Sequence, residues 1–122
     1  MSFSLSQKSL DRMKGVDPKL VEIVKLAITR TPIDFTVLEG LRTLERQKEL
    51  VAKGFSQTMN SKHLIGKAVD LGALKDGTVS WDKSLYPQIA KVMKECAAEL
   101  NTPIRWGGDF KSFFDGPHFE LV

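Results

Sequence analysis

The chain contains only two histidines, His63 in its middle and His118 near its end. Asp70 follows His63 within the stretch Ser61–Asp70. An imidazole nitrogen and a carboxylate oxygen are the mixture of ligands that suits zinc in a site with an open position. A third ligand must come from elsewhere, and His118 supplies the only other imidazole. A shared site therefore requires a fold that brings this stretch beside the C-terminal residues.

The segment around the first histidine is predicted to be a loop that enters a strand. Gly66 and the β-leaning run 68–71 argue against a helix. In the strand, the apolar neighbours of Asp70 face a core while Asp70 points the other way, and Gly66 lets the loop fold His63 back beside it. The residues alone leave open that His63 is a surface loop histidine and Asp70 a strand-end carboxylate.

Helical and extended patterns alternate along the rest of the chain. Helices are predicted from Asp17-Pro18 to just before Pro32, from Thr43 to Gly54, and from Leu85 to Asn101. The core stripe of the last helix is Leu85, Ile89, Val92, Met93, Cys96 and Leu100. Strands are predicted at Phe35–Val37, Ile104–Trp106 and Pro117–Leu121, a hairpin turn at Asp76-Gly77, a loop at Gly107–Asp109 and a polar connection over Phe55–Asn60.

Composition places the chain among globular proteins of one domain, residues 1–122. Apolar residues make up 42% of the 122 and charged residues 27%, which excludes a disordered class. The net charge of +3 is spread along the chain, favouring general attraction to polyanions over a dedicated nucleic-acid surface. A mixed solvated surface fits equally well.

The compartment is predicted from cysteine use and from the N-terminus. Cys96 is the only cysteine, so no intrachain disulfide can form and a core thiol is expected. We expect no signal peptide and no membrane span, and therefore a protein that stays in the cytoplasm until something else releases it.

Two motifs carry a family resemblance. The first is S-x-H-x-x-G-x-A-x-D, and the second places a carboxylate three residues before a histidine; the matched residues are Ser61, His63, Gly66, Ala68, Asp70, Asp115 and His118. They resemble the zinc peptidases of the D-Ala-D-Ala carboxypeptidase and dipeptidase superfamily, and most of all the short phage endolysins that act as L-alanyl-D-glutamate endopeptidases. The resemblance implies an α+β fold of the hedgehog/DD-peptidase type, with a small antiparallel sheet carrying the zinc site and helices packed on it.

The resemblance also implies roles for individual residues. Zinc would be bound by His63, Asp70 and His118. Asp115 would be the catalytic base, although an aspartate also commonly begins a turn such as this one. Arg42, in the Gly-x-Arg-Thr element, would bind substrate and stabilise the negative charge that develops on the scissile carbonyl. Without the resemblance, Arg42 would be read as a solvated charge or a loop-pinning donor.

Three further polar residues receive weaker roles. Ser61 resembles the conserved serine of the motif and would bind substrate or order the loop; no partner base makes it a nucleophile. Glu120 and Asp109 are alternatives for the base, and Glu120 could instead support a ligand from outside.

The resemblance implies a monomeric endolysin that hydrolyses the L-alanyl-D-glutamate bond of peptidoglycan stem peptides during phage lysis, after a separate holin releases it to the cell wall. One alternative is a D-Ala-D-Ala carboxypeptidase or dipeptidase. Another is a zinc- or wall-binding module without catalysis. The scissile bond, the host and regulation by a second ion such as calcium stay open.

Overall fold

The computed structural model describes residues 3–54, 61–110 and 114–122. The predicted connection Phe55–Asn60 and the first two residues of the N-terminus lie outside these ranges. The helices are α1 (Gln7–Arg12), α2 (Pro18–Arg30), α3 (Leu44–Ala52) and α4 (Tyr86–Glu99), and 3₁₀ helices span Lys62–Ile65 and Gly107–Asp109. The strands are β1 (Phe35–Glu39), β2 (Ala68–Lys75), β3 (Thr78–Ser80), β4 (Ile104–Trp106) and β5 (His118–Leu121).

The five strands form one antiparallel sheet, which confirms the predicted α+β class. Its order is β1-β2-β5-β4, and β3 pairs with β2 through the predicted hairpin turn. Asp76 and Gly77 in that turn both have positive φ, at 54° and 79°, as a tight hairpin turn requires. Strand β5 lies between β2 and β4, so a segment late in the chain occupies the interior of the sheet.

A single hydrophobic core lies between one face of the sheet and the helices α2 and α4, which pack on each other. Val69 and Leu71 of β2 and Phe119 of β5 are fully buried there. Because side chains alternate along a strand, Asp70, His118 and Glu120 emerge on the opposite face. The predicted two faces of both strands are thus confirmed.

Helix α2 confirms the predicted start and stop signals. The Asp17 side chain accepts a hydrogen bond from the Lys19 amide, Pro18 is the first helical residue, and the helix ends before Pro32. Helix α3 likewise begins after a Thr43 cap that accepts from the Arg46 amide. The strands predicted around residues 35–37 and 104–106 are also present.

Three local features differ from the sequence-based predictions. Helix α1 was not predicted, because six residues are too few to show a clear period. The apolar stripe of α4 is rotated from the predicted one: Ile89, Met93 and Cys96 are buried, whereas Leu100 is 36% exposed. The predicted loops at residues 62–65 and 107–109 are single 3₁₀ turns, which sequence periodicity does not reveal.

Helix α1 covers the edge of the sheet at β1. The Ser9 hydroxyl accepts a hydrogen bond from the Val37 amide at 3.0 Å and contacts the Thr36 hydroxyl at 2.9 Å. Arg12 donates to the Val37 carbonyl at 3.0 Å. Side chains of the helix therefore satisfy backbone groups that an edge strand would otherwise leave open to pairing. Within the described ranges, no helix is long and apolar enough to cross a membrane.

Candidate active site

Strand register brings Asp70 and His118 together. The two residues are direct partners across β2 and β5, and directly opposed side chains of an antiparallel pair lie on the same face. The Asp70 Oδ1 to His118 Nδ1 distance is 3.3 Å. This pairing follows from the register that buries Val69 and Phe119, because a slip by one residue would put the polar side chains in the core.

The 3₁₀ turn before β2 brings His63 to the same point. The Ser61 hydroxyl caps the turn by accepting a hydrogen bond from the His63 amide at 3.2 Å. Gly66 ends it with φ at 70°, and a Cβ there would come within 2.3 Å of the Gly15 carbonyl oxygen, so only glycine fits. The His63 Nε2 to Asp70 Oδ1 distance is 3.2 Å, and the ring is only 2% exposed.

The three side chains form a cluster that can hold one metal ion. One ligand atom from each of His63, Asp70 and His118 lies within 4.8 Å of the others. The second nitrogen of each ring is already used: His63 Nδ1 lies 2.8 Å from the Gly40 carbonyl oxygen, and His118 Nε2 lies 2.7 Å from Glu120 Oε1. Because these oxygens only accept, both outer nitrogens carry the proton. The inner nitrogens keep lone pairs directed at the cluster, as metal ligands require.

The charges of the cluster shift two pKa values in opposite directions. Burial alone would raise the pKa of Asp70, but hydrogen bonds from His118 and His63 overcome it and lower that pKa far below its ordinary value. Burial alone would lower the pKa of His118, but the hydrogen bond and charge of Asp70, with help from Glu120, raise it. Asp70 is therefore a firmly ionised carboxylate, and protons compete with any metal for His118.

Asp115 stands in a tight turn that leads into β5. Its amide donates to the Gly107 carbonyl at 3.0 Å, and its carbonyl accepts from the His118 amide at 3.2 Å. Trp106 Nε1 donates to the Gly116 carbonyl at 2.7 Å and holds the middle of the turn. These bonds join the Asp115 backbone directly to that of His118.

The Asp115 carboxylate is half-buried and lies in the field of the cluster. No hydrogen bond or ion pair to this carboxylate is formed by the side chains in the described ranges. Burial and the negative charge of Asp70 raise the pKa of Asp115, against the opposing influence of His118, His63 and Arg42. A carboxylate with a raised pKa and no fixed partner has the properties of a proton acceptor.

The two alternative bases are engaged elsewhere. Glu120 accepts from His118 and lies 3.4 Å from Lys62 Nζ, an arrangement typical of a carboxylate that orients a metal-ligating imidazole. Asp109 is exposed and pairs with Lys94 at 2.6 Å. Geometry thus favours Asp115 over both.

Arg42 lies at the edge of the cluster in a fixed position. Its guanidinium binds Glu39 through two hydrogen bonds of 2.7 and 2.9 Å and donates to Gln47 Oε1 at 2.7 Å. Its Nη2 lies 3.6 Å from Asp70 Oδ2, and its side chain is 8% exposed. The Arg42 amide also donates to the His63 carbonyl at 2.9 Å. The corner after β1 and the 3₁₀ turn are therefore tied together.

Sequence reasoning missed four contributors to the site: Glu39, Gly40, Gln47 and Gly107. Gln47 is fully buried although polar, and a polar residue on the inward side of an amphipathic helix is a signal that could have been read. A Cβ at Gly107 would lie 2.2 Å from the Asp115 carbonyl oxygen and 2.9 Å from His118 Cβ. Such close approach between distant segments leaves no local sequence pattern.

Comparison with known proteins gives one family over the whole chain. The family described as phage L-alanyl-D-glutamate peptidase matches residues 1–122. The L-alanyl-D-glutamate peptidase of Escherichia phage T5 is 28% identical over the full length of both chains.

Two solved structures extend the comparison to the fold. The L-Ala D-Glu endopeptidase ChiX of Serratia marcescens superposes with a TM-score of 0.93 and 41% identity, covering 99% of this chain and 91% of ChiX. The vancomycin resistance D,D-pentapeptidase VanY in complex with Zn(II) superposes with a TM-score of 0.58 and 19% identity, covering 88% and 72%. At that identity VanY indicates a shared fold alone.

Proposed function

The chain belongs to the phage L-alanyl-D-glutamate peptidase family, and from this premise we propose that it is a zinc-dependent endopeptidase that cleaves the L-alanyl-D-glutamate bond of peptidoglycan stem peptides. The observation that carries the proposal is the cluster of two imidazoles and one carboxylate beside a free carboxylate in a fixed turn. The named activity of the phage T5 and Serratia relatives agrees with it.

The proposed zinc ligands are His63, Asp70 and His118. Two neutral imidazoles and a carboxylate suit zinc, and three protein ligands are typical of catalytic sites rather than structural ones. When bound there, zinc would polarise the substrate carbonyl and make water acidic enough to attack near neutral pH. Glu120 and the Gly40 carbonyl would keep both imidazoles in the tautomer that binds metal.

The remaining steps are assigned to residues outside the ligand set. Asp115 accepts the proton of the attacking water and passes it to the leaving amine. Arg42 stabilises the negative charge that develops on the carbonyl oxygen, since a guanidinium has five donors and Glu39 and Gln47 use three of them. Ser61 orders the loop through its bond to the His63 amide, and a contact with substrate stays a prediction for it.

The biological setting is proposed from the family alone. We place the protein in the host cytoplasm before lysis, as a monomer and a single domain over residues 1–122, with access to the wall opened by a separate holin. Cells that express it alone should keep growing, and chloroform should then cause lysis. Lysis without chloroform would contradict the need for a holin.

Digestion of purified peptidoglycan tests the proposed bond. Mass spectrometry should find new L-alanine carboxyl termini and new D-glutamate amino termini, because those ends identify the bond. Chelation should abolish their release and zinc should restore it. Release of free D-alanine would favour the carboxypeptidase alternative. Binding to peptidoglycan without any fragments would favour a non-catalytic module.

A further inference from the structure

An open cleft of about 290 Å³ adjoins the turn that carries Asp115. The segment between β3 and α4 supplies Trp81 and Lys83 to its wall, α4 supplies Tyr86, and Phe114 precedes the turn. The lining therefore combines three aromatic rings with one ammonium group, and Asp115 is the only acidic residue among the described residues that line it.

The cleft and the turn are packed as one unit. Trp81 stacks on Tyr86 with ring centroids 6.4 Å apart and planes within 8° of parallel. The Tyr86 hydroxyl donates to the Ser80 carbonyl at 2.7 Å. A Cβ at Gly116 would lie 2.9 Å from Phe114 and 3.1 Å from Tyr86, so these rings rest on the backbone of the catalytic turn itself. A group held in the cleft would thus sit at a fixed distance from Asp115.

The cleft presents a cation without a carboxylate partner. Lys83 Nζ lies 5.4 Å from the centroid of the Phe114 ring, and the ion pairs formed within the described ranges do not include it. Lys94 lies equally close to an aromatic ring but pairs with Asp109. Trp81 and Phe114 are 64% and 44% exposed. The cleft is therefore complementary to an anionic group carried on a short aliphatic chain.

We propose that Lys83 binds the free carboxylate of the D-glutamyl residue of the substrate, while Trp81 and Phe114 contact its methylene groups. This inference rests on the proposed function, which puts a D-glutamyl residue on one side of the scissile bond. Glutamate has two carboxyl groups, so whichever of them continues the stem peptide, the other is available as an anion. Lys83 would be a specificity-determining residue, not a catalytic one, because it contacts no reacting atom.

The charge of Lys83 favours this occupant over a sugar ring. An exposed tryptophan alone would suit a glycan, but a glycan needs no cation. An ammonium held against an aromatic face is already partly dehydrated, and an anion placed beside it forms a charge-assisted hydrogen bond. The two readings differ in which side chain matters, and this difference can be measured.

The test compares two soluble stem peptides that begin with L-Ala-D-Glu, one with the free carboxylate and one with that group as a primary amide. The wild-type protein should prefer the acid. Lys83→Met should raise KM for the acid by about tenfold, leave kcat nearly unchanged and remove the preference. Lys83→Arg should restore much of it. Lys91→Met, on the exposed side of α4, is the matched control and should retain the preference.

Each result separates this inference from the proposed function. If the wild-type protein cleaves neither peptide at this bond, the proposed function fails and the assignment fails with it. If the wild-type protein cleaves them and Lys83→Met keeps the preference, with melting temperature and zinc content unchanged, only the assignment is overturned. Loss of rate on glycan-bearing peptidoglycan in Trp81→Ala, with no effect of Lys83→Met, would also overturn it and assign the cleft to the glycan strand.

Discussion

Asp115 differs from the three cluster residues in having no fixed side-chain partner among the described residues, so its replacement should affect catalysis alone. Asp115→Asn keeps the size of the side chain and the turn but cannot accept a proton. Turnover on purified peptidoglycan should fall roughly 100- to 10,000-fold. Zinc content by elemental analysis and the melting temperature should stay at wild-type values, whereas His63→Ala should lose metal and activity together.

A contrary result for Asp115 has two readings. Loss of zinc in Asp115→Asn would make Asp115 a ligand. Preserved turnover would pass the role of base to Asp109 or Glu120. Asp109→Asn is the companion variant, and its ion pair with Lys94 on the surface predicts nearly full activity.

Arg42 joins three elements of the site, so alanine would remove a structural tie as well as a catalytic donor. Arg42→Lys is the sharper variant, because lysine keeps the charge but lacks the planar fork that binds Glu39. The full contribution of such a donor is roughly 100- to 1,000-fold in kcat, and lysine should recover part of it.

The control for Arg42 is Arg46→Ala, an exposed arginine on α3 whose nearest carboxylate, Glu49, is 3.7 Å away. It should leave kcat unchanged. If Arg42→Lys keeps wild-type kcat and changes only the melting temperature, Arg42 is structural.

His118 should make the stability of the metal-free protein depend on pH. Its pKa is raised on folding by Asp70 and Glu120 despite burial. A raised pKa adds stability that is fully present below the unfolded pKa and is lost as pH rises through the folded value. Protein stripped by a chelator should therefore melt at a lower temperature at about pH 8 than at about pH 6.

The Asp70 carboxylate does not reverse this trend, because its lowered pKa confines its own pH dependence to acid. Asp70→Asn should flatten the slope between about pH 6 and pH 8 by removing the main cause of the His118 shift. A stripped wild-type protein that grew more stable over this window would refute the coupling.

At the level of elements, the approach of the second 3₁₀ helix to the Asp115 turn leaves no space for a methyl group at Gly107. Gly107→Ala should displace the turn and with it the Asp115 carboxylate. A misplacement of about 1 Å at a reacting group can cost on the order of 100-fold in rate. We expect a loss of that order in kcat at a temperature where circular dichroism shows a folded protein.

Gly54→Ala is the matched control for this prediction. Gly54 has φ at 77° and no atom within 4 Å of a Cβ placed there, so alanine should cost backbone strain of about 1–2 kcal/mol without touching the site. Equal losses of activity in both variants would show that general destabilisation, rather than the turn, is responsible.

The elements also show what a single sequence can and cannot predict. The cluster residues were identified because they stand in a pattern, and the faces of β2 and β5 followed from alternation. The ties of Glu39 and Gln47 to Arg42, and the contact of Gly107 with Asp115, join segments far apart in the chain. They depend on the packing distance between elements, which local periodicity does not encode.

At the scale of the whole molecule, the net charge of +3 predicts a general attraction to the anionic wall. Such attraction is screened by salt, with a Debye length of about 10 Å at 0.1 M. The inactive Asp115→Asn variant should co-sediment with purified peptidoglycan less at high salt than at low salt. Binding that does not respond to salt would indicate specific contacts alone.

The interior position of β5 has a consequence for synthesis. A ribosome-bound chain that has not yet presented residues 118–121 lacks the strand between β2 and β4 and the second imidazole. Until then the sheet has a gap in its middle, and its most distant pairings close last. Hydrolytic competence and completion of the fold therefore arise together, and no nascent chain short of β5 can damage the wall.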